Sequence, residues 1–207
     1  MIQENDIQPL EQLSQREAVA ESDISSQSYS VPSSGNVAIV TERLQARSRR
    51  ILATIQIPQP LEPVWKILTD YDRLANFIPN LSKSRRLPHP SGGIRLEQIG
   101  AQCFLNIKFC ARVVLDMYEK FPYELGFQMV EGDFKIFEGC WRLEPITCQG
   151  LIGTQLSYDL LIKPPRAIPA ALIERHIRHD LTRNLLAIRQ QVIEQLIWIR
   201  ALHIVET

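Results

Sequence analysis

The chain has 207 residues, 45% of them hydrophobic and 22% charged, which is enough for one sizeable hydrophobic core. Its 23 Lys and Arg residues equal its 23 Asp and Glu residues in number, so the chain carries no net charge that would attract nucleic acid. No apolar run approaches the ~18 residues of a membrane span. We therefore expect a cytoplasmic protein, with peripheral contact to a membrane as the alternative.

Residues 1–36 are rich in Gln, Ser and Glu and show no apolar periodicity. Such a segment buries too little surface to offset the entropy of ordering, so the sequence predicts a disordered acidic tail followed by one domain, residues 37–207. Residues 31–207 carry 22 bases and 17 acids, a net charge of +5. The four cysteines form no C-x-x-C motif, which favours a reducing compartment over a disulfide framework.

The first regular elements follow residue 36. Residues 36–50 could begin the first strand or form a basic approach to it. Ile51–Ile57 alternates apolar and polar side chains and is predicted as a half-buried strand. Leu61–Asp70 has the spacing of a short amphipathic helix, and Tyr71–Phe77 that of a second one, for which Asp70 is a candidate N-terminal cap.

Six further strands, each bounded by turn residues, bring the predicted total to seven. They are Ser82–Leu87, Ile94–Gln102, Phe104–Tyr118, Glu124–Val130, Phe134–Leu143 and Thr154–Lys163. The turns between them are short enough for hairpins, so the sequence predicts an antiparallel meander.

Ile168 to Leu202 repeats apolar residues at helical spacing and is predicted as one long amphipathic helix. It is the only predicted element long enough to cover the apolar face of the sheet. A curved sheet wrapped on a single helix leaves space that side chains do not fill. The sequence therefore predicts an apolar ligand cavity between the two.

Two segments carry a resemblance to a known family: Trp65–Asn80, with Thr69-Asp-Tyr71 at its centre, and Phe134–Pro145. They resemble the polyketide cyclase/dehydrase branch of the START-like (Bet v 1-like, SRPBCC) superfamily, which includes coenzyme-Q-binding proteins. The resemblance spans roughly Arg49 to Leu196. It implies an α+β helix-grip fold, in which a curved seven-stranded antiparallel sheet surrounds a long C-terminal helix, with two short helices after the first strand.

The resemblance also implies a function, namely binding, for sequestration or delivery, of a hydrophobic small molecule such as an isoprenoid quinone, a lipid or a polycyclic compound. No cofactor is implied. One fold hosts many chemistries, so two alternatives stay open: a cyclase or dehydratase, and a protein-interaction module without a ligand. The absence of an evident inward His or carboxylate set in the sequence favours binding over catalysis.

Residues expected to line the cavity belong to the inward faces of strands and to the apolar side of the long helix. They are Phe109, Phe127, Phe137, Trp141, Tyr158, Ile177, Leu181, Asn184, Leu185 and Ile188. Large aromatic and aliphatic side chains with a few polar groups are typical of such pockets. For Trp141 the competing interpretation is plain core packing.

The charged residues and histidines are interpreted as surface or structural groups and not as parts of a site. Arg112, Asp116 and Glu138 have the parity of the solvated sheet face. His176 and His179 lack a third ligand at zinc-site spacing, so no metal site is predicted. Basic clusters could meet lipid phosphates near the cavity mouth. The few aromatics, mostly in core-like positions, argue against RNA binding.

Overall fold

The structure of the chain is a computed structural model that describes the backbone of residues 36–104, 107–148 and 150–205. Side chains are described for residues 36–100, 111–147 and 150–197. The predicted acidic tail falls on residues that lie outside this part, apart from Asn36.

The described part of the chain contains one antiparallel sheet of eight strands. The strands are β1 Ala38–Arg43, β2 Arg49–Ile57, β3 Leu81–Leu87, β4 Ile94–Phe104, β5 Ile107–Lys120, β6 Glu124–Gly132, β7 Ile136–Cys148 and β8 Leu151–Lys163. Their order across the sheet is β1-β2-β8-β7-β6-β5-β4-β3. Strands β3 to β8 thus form the predicted meander, and β2 joins it by pairing with β8.

One strand more is present than the seven predicted. Strand β1 pairs with β2 from Ala38↔Thr54 to Arg43↔Arg49. Its side chains are half-buried or exposed, because it forms an edge of the sheet and carries only three consecutive apolar residues. A short edge strand of this kind lacks the alternation that marks a strand in sequence.

The helices are α1, Leu61–Thr69, and α2, Ala170–Val205, with short 3-10 segments at Gln45–Arg47 and Tyr71–Asn76. Pro63 is accommodated in the first turn of α1, and the side chains of that helix that are buried are Val64, Trp65, Ile67 and Leu68. The predicted cap is wrong: Asp70 makes no side-chain capping bond. Its carboxylate lies 3.6 Å from the Arg73 guanidinium instead.

The core forms where α2 crosses the inner face of the curved sheet. Strand β2 contributes Ile51, Ala53, Ile55 and Ile57, all fully buried, and alternate residues of β8 lie beside them. Helix α2 presents Leu181, Leu185, Ile188 and Val192 to the interior. Burying side chains of this size contributes about 1.5–3 kcal/mol each, so the α2–sheet contact is a principal source of stability. The predicted α+β arrangement, a sheet gripping one long helix, is confirmed.

Within the described residues, no helix combines the length and the apolar character needed to cross a membrane.

A cavity between the sheet and the long helix

Side chains do not fill all the space between the sheet and α2. A cavity of about 260 Å³ lies there, lined mainly by apolar side chains of β4 to β8, of α2 and of the segment that follows α1. The cavity suits a small ring compound or part of a longer molecule.

Aromatic side chains form one wall of the cavity. The Trp141 and Tyr158 rings lie opposite each other on β7 and β8, with centroids 4.2 Å apart. Phe127 on β6 stacks on Tyr158 at 5.5 Å and lies 5.7 Å from Phe137, which in turn lies 5.4 Å from Phe134. These offset contacts are favourable ring arrangements, so the wall is a continuous aromatic surface.

Gly139 makes this wall possible. It lies on the inner face of β7 directly opposite Phe127. A Cβ atom at this position would overlap the Asp159 carbonyl oxygen and come within 3.0 Å of Phe127 Cζ. Only glycine therefore allows the Phe127 ring to lie over β7 between Phe137 and Trp141.

The predicted lining residues occupy three kinds of position. Those that line the cavity are Phe127, Phe137, Trp141, Tyr158, Ile177, Leu181 and Asn184. Leu185 and Ile188 are fully buried in the core and are not among the lining residues. The α2 stripe passes from the cavity into close packing at this point, and the helical period alone does not show where. Phe109 belongs to β5, but its side chain lies outside the described part.

Three polar side chains on α2 line one part of the cavity. His176, Asp180 and Asn184 follow one another at four-residue intervals, and all three line the cavity. Asn80 Nδ2 donates to Asp180 Oδ1 at 3.0 Å. With its amide oriented to satisfy its neighbours, Asn184 donates to the carbonyl oxygens of Pro79 and Asp180, each at 3.1 Å. These bonds join the loop before β3 to α2.

Burial raises the pKa of the Asp180 carboxyl, and this effect outweighs the lowering by His176, His179, Arg183 and the Asn80 bond. Of this group, the sequence indicated only Asn184 as a site residue. The signal that could have found the others is the i, i+4, i+8 spacing of three polar residues beside the apolar stripe. In the described part of the chain, no three His, Cys, Asp or Glu side chains are placed to hold a metal ion.

Two further polar residues lie on the cavity wall. Tyr71, which is almost fully buried, donates from its hydroxyl to Glu119 Oε1 at 2.6 Å. Gln98 donates to Ser84 Oγ at 3.3 Å, and Ser84 in turn donates to the Tyr71 carbonyl oxygen at 2.6 Å. Burial and the Glu119 bond raise the Tyr71 pKa, so this phenol stays neutral in the folded state.

The charges of the sheet lie mostly on its outer face, as their parity indicates. The buried carboxylate of Glu97 accepts from Arg85 Nε at 2.7 Å and from Arg112 Nε at 2.8 Å, and Lys83 Nζ lies 2.9 Å away. Arg112 also donates to Glu131. The bonds from Lys83, Arg112 and Arg85 lower the Glu97 pKa to about 2.

Asp116, whose parity indicated the same outer face, pairs with Arg95 through two hydrogen bonds of 2.6 and 2.9 Å. Glu138 is near Gln128 on the neighbouring strand, at 3.5 Å. Arg112, Asp116 and Glu138 are therefore engaged outside the cavity.

Comparison with known proteins places the chain among proteins of related fold. Residues 57–189 match the family model described as polyketide cyclase / dehydrase and lipid transport. No curated protein sequence matches the chain.

Solved structures with the same fold share little sequence with the chain. A START superfamily protein from Mycobacterium smegmatis has a TM-score of 0.58 at 17% identity, covering 71% of this chain and 98% of that one. An aromatase/cyclase from Streptomyces has a TM-score of 0.58 at 15% identity, covering 72% and 96%. A STAR-related lipid transfer protein from Xanthomonas axonopodis has a TM-score of 0.60 at 12% identity, covering 78% and 96%. At these identities the likeness shows the fold alone.

Proposed function

The chain belongs to the polyketide cyclase / dehydrase and lipid transport family, and from this membership we propose that it binds one hydrophobic small molecule between the sheet and α2. The role would be to sequester or deliver that molecule. Candidate ligands are a lipid, a polycyclic compound, or the ring of an isoprenoid quinone whose tail extends beyond the cavity.

One observation carries the proposal: an unfilled cavity of about 260 Å³ bordered by a continuous aromatic wall. Apolar surface removed from water contributes about 25 cal/mol per Å², before the cost of ordering the ligand. A core that served stability alone would fill such a space, because each void forfeits dispersion contacts. The retained space is therefore best explained by a ligand.

Charge near the start of α2 supports peripheral contact with an anionic membrane during delivery. Glu174 Oε2 lies 2.9 Å from Arg49 Nε and 3.8 Å from Arg43 Nε. The Arg43 side chain is 74% exposed, and Arg175 and Arg178 are exposed on the first turns of the helix. Anionic headgroups attract such a cluster.

A cyclase or dehydratase is the second candidate, and one observation favours it. His176 and Asp180 lie one helical turn apart, and both line the cavity. The His176 imidazole and the Asp180 carboxyl, whose pKa is raised by burial, would therefore contact a bound molecule together. Groups of this kind act as general acids and bases when a substrate proton lies within hydrogen-bond reach. Turnover of a model polyketide that is lost in His176→Ala and in Asp180→Asn would establish this function.

The test of binding is native mass spectrometry of the protein purified from the organism that encodes it, with extraction of any bound molecule. Uptake of the apolar dye anilinonaphthalene sulfonate gives an independent measurement. Ala111→Phe fills the cavity from the inner face of β5, where Ala111 lines it. Val130→Phe places the same side chain at an exposed position of β6 and is the control.

We expect wild type and Val130→Phe to carry ligand and take up dye, and Ala111→Phe to do neither while folding normally by circular dichroism. Equal uptake by Ala111→Phe would place the dye elsewhere. If wild type carries no molecule and takes up no dye, the proposal is wrong and an interaction module becomes the better explanation.

A further inference from the structure

One polar group of the cavity, the hydroxyl of Tyr158, is notable for its surroundings. The side chain of Tyr158 lies between Phe127 and Trp141 on the inner face of β8, and only 7% of the residue is exposed. Its hydroxyl makes no hydrogen bond to any residue in the described part of the chain. Buried hydroxyl groups normally have a partner, because an unmet donor costs the free energy of its lost hydration.

The second cavity tyrosine behaves in the opposite way. The Tyr71 hydroxyl already donates to Glu119. Among the described residues, Thr41 Oγ1 is the side-chain oxygen that is fully enclosed by protein and has no hydrogen-bond partner. The hydroxyl of Tyr158 is not enclosed in this way. The Tyr158 hydroxyl therefore retains access to open space, and the space that Tyr158 borders is the cavity.

We infer that the Tyr158 hydroxyl is the group that recognises the ligand, by donating a hydrogen bond to an oxygen of a flat, apolar ring compound such as an aromatic or conjugated ketone. This inference rests on the proposed function, because it names the ligand class of the same cavity. The aromatic wall formed by Phe127, Phe137 and Trp141 selects planar rings through their faces.

A carbonyl oxygen suits this position better than a hydroxyl group does. It accepts the phenol proton and brings no hydrogen of its own. A ligand hydroxyl would bring a second donor, and the neighbours of Tyr158 on the wall, Phe127, Trp141 and Leu160, offer no strong side-chain acceptor. Burial raises the pKa of Tyr158, so the phenol remains a donor throughout the physiological pH range.

The experiment compares two bicyclic compounds of nearly equal shape, tetralone and tetralin, of which only tetralone carries a carbonyl oxygen. Isothermal titration calorimetry gives their dissociation constants for wild type, Tyr158→Phe and Tyr118→Phe. The two variants each remove one tyrosine hydroxyl. Tyr118→Phe is the matched control, since Tyr118 is 55% exposed and is not among the residues that line the cavity.

Wild type should bind tetralone about five- to tenfold more tightly than tetralin, because one buried neutral hydrogen bond increases affinity by about this factor. Tyr158→Phe should lose this preference while binding tetralin as wild type does, and Tyr118→Phe should keep it. Equal binding of both compounds by wild type, or a preference that survives Tyr158→Phe, would overturn the inference and leave the proposed function standing. Binding of neither compound would count against both.

Discussion

The Tyr71 hydroxyl donates to Glu119 Oε1 at 2.6 Å and so joins the 3-10 segment after α1 to the end of β5, 48 residues further along the chain. Both residues belong to the structure around the cavity. Tyr71 lines the cavity, and Glu119 is exposed to solvent.

Removing this bond should destabilise the fold modestly. We expect Tyr71→Phe to lower the free energy of unfolding by about 1 kcal/mol, since the accepting carboxylate can still be hydrated. Urea unfolding followed by fluorescence measures the change. Tyr118→Phe, at a residue that is 55% exposed, should have no effect; an equal loss in both variants would show that the bond contributes nothing specific.

The same tyrosine predicts a dependence on alkaline pH. Because the pKa of Tyr71 is raised, the unfolded chain releases the phenol proton near pH 10 while the folded chain keeps it. Unfolded molecules then bind fewer protons, so stability falls as pH rises above about 10. Denaturant titrations between about pH 8 and pH 11 should show a smaller fall for Tyr71→Phe than for wild type. Parallel curves would contradict this.

Gly139→Ala should be severely destabilising, by several kcal/mol, because the added Cβ meets the Asp159 backbone and not a flexible side-chain end. Gly126→Ala is a close control. Gly126 lies on the adjacent strand, and a Cβ there meets Tyr118 Cβ at an ordinary contact distance of 3.6 Å. Thermal melts should separate the two variants by many degrees, and similar melting temperatures would show that β7 can shift.

Trp141→Ala should weaken ligand binding and lower the free energy of unfolding by about 2–3 kcal/mol. This is below the cost of removing a fully enclosed indole, because part of the Trp141 side chain faces the cavity. Phe121→Ala, at a ring that contacts Trp65 but is 63% exposed, should cost less than about 1 kcal/mol. A binding loss without any loss of stability would mean that Trp141 belongs to the ligand site alone.

Asp180→Asn should raise the melting temperature at neutral pH. Burial raises the Asp180 pKa, so just above about pH 4 the folded chain still holds a proton that the unfolded chain has released. The free energy of unfolding therefore falls as the pH rises above about 4, and it remains lower at neutral pH. Asparagine does not ionise and can still accept from Asn80. Differential scanning calorimetry should show this gain at pH 7 and none at about pH 3. A lower melting temperature at pH 7 would mean that the nearby histidines stabilise the carboxylate.

Much of the fold could be predicted from sequence, because the periodicity of apolar residues and the turn residues between segments determine it. The alternation in Ile51–Ile57 and the helical stripe after Pro169 have direct counterparts in β2 and α2. Strand β1 is not predicted as a separate strand, since its pairing with β2 is a tertiary property of a short edge segment.

The site was predictable only in part. Parity places Phe127, Trp141 and Tyr158 on the inner face, and there they line the cavity. The helical period of α2 likewise cannot tell a cavity from close packing, which is why it predicts Leu185 and Ile188 as lining residues although they are buried in the core. Asp180 and Asn80 meet across 100 residues of sequence, a contact that no local pattern encodes. Whether any of these residues touches a ligand stays a prediction.

The Glu97–Arg112–Glu131 chain of ion pairs also bears on how the strands find their partners during folding. Side chains alternate between faces, so a one-residue slip of β4 against β5 would turn Glu97 inward, to where Leu96 and Gln98 now lie. An unpaired carboxylate in that apolar space would be strongly unfavourable. The charged outer row thus penalises misregistered hairpins, and Glu97→Leu should relax this penalty and permit misfolded, aggregation-prone pairings.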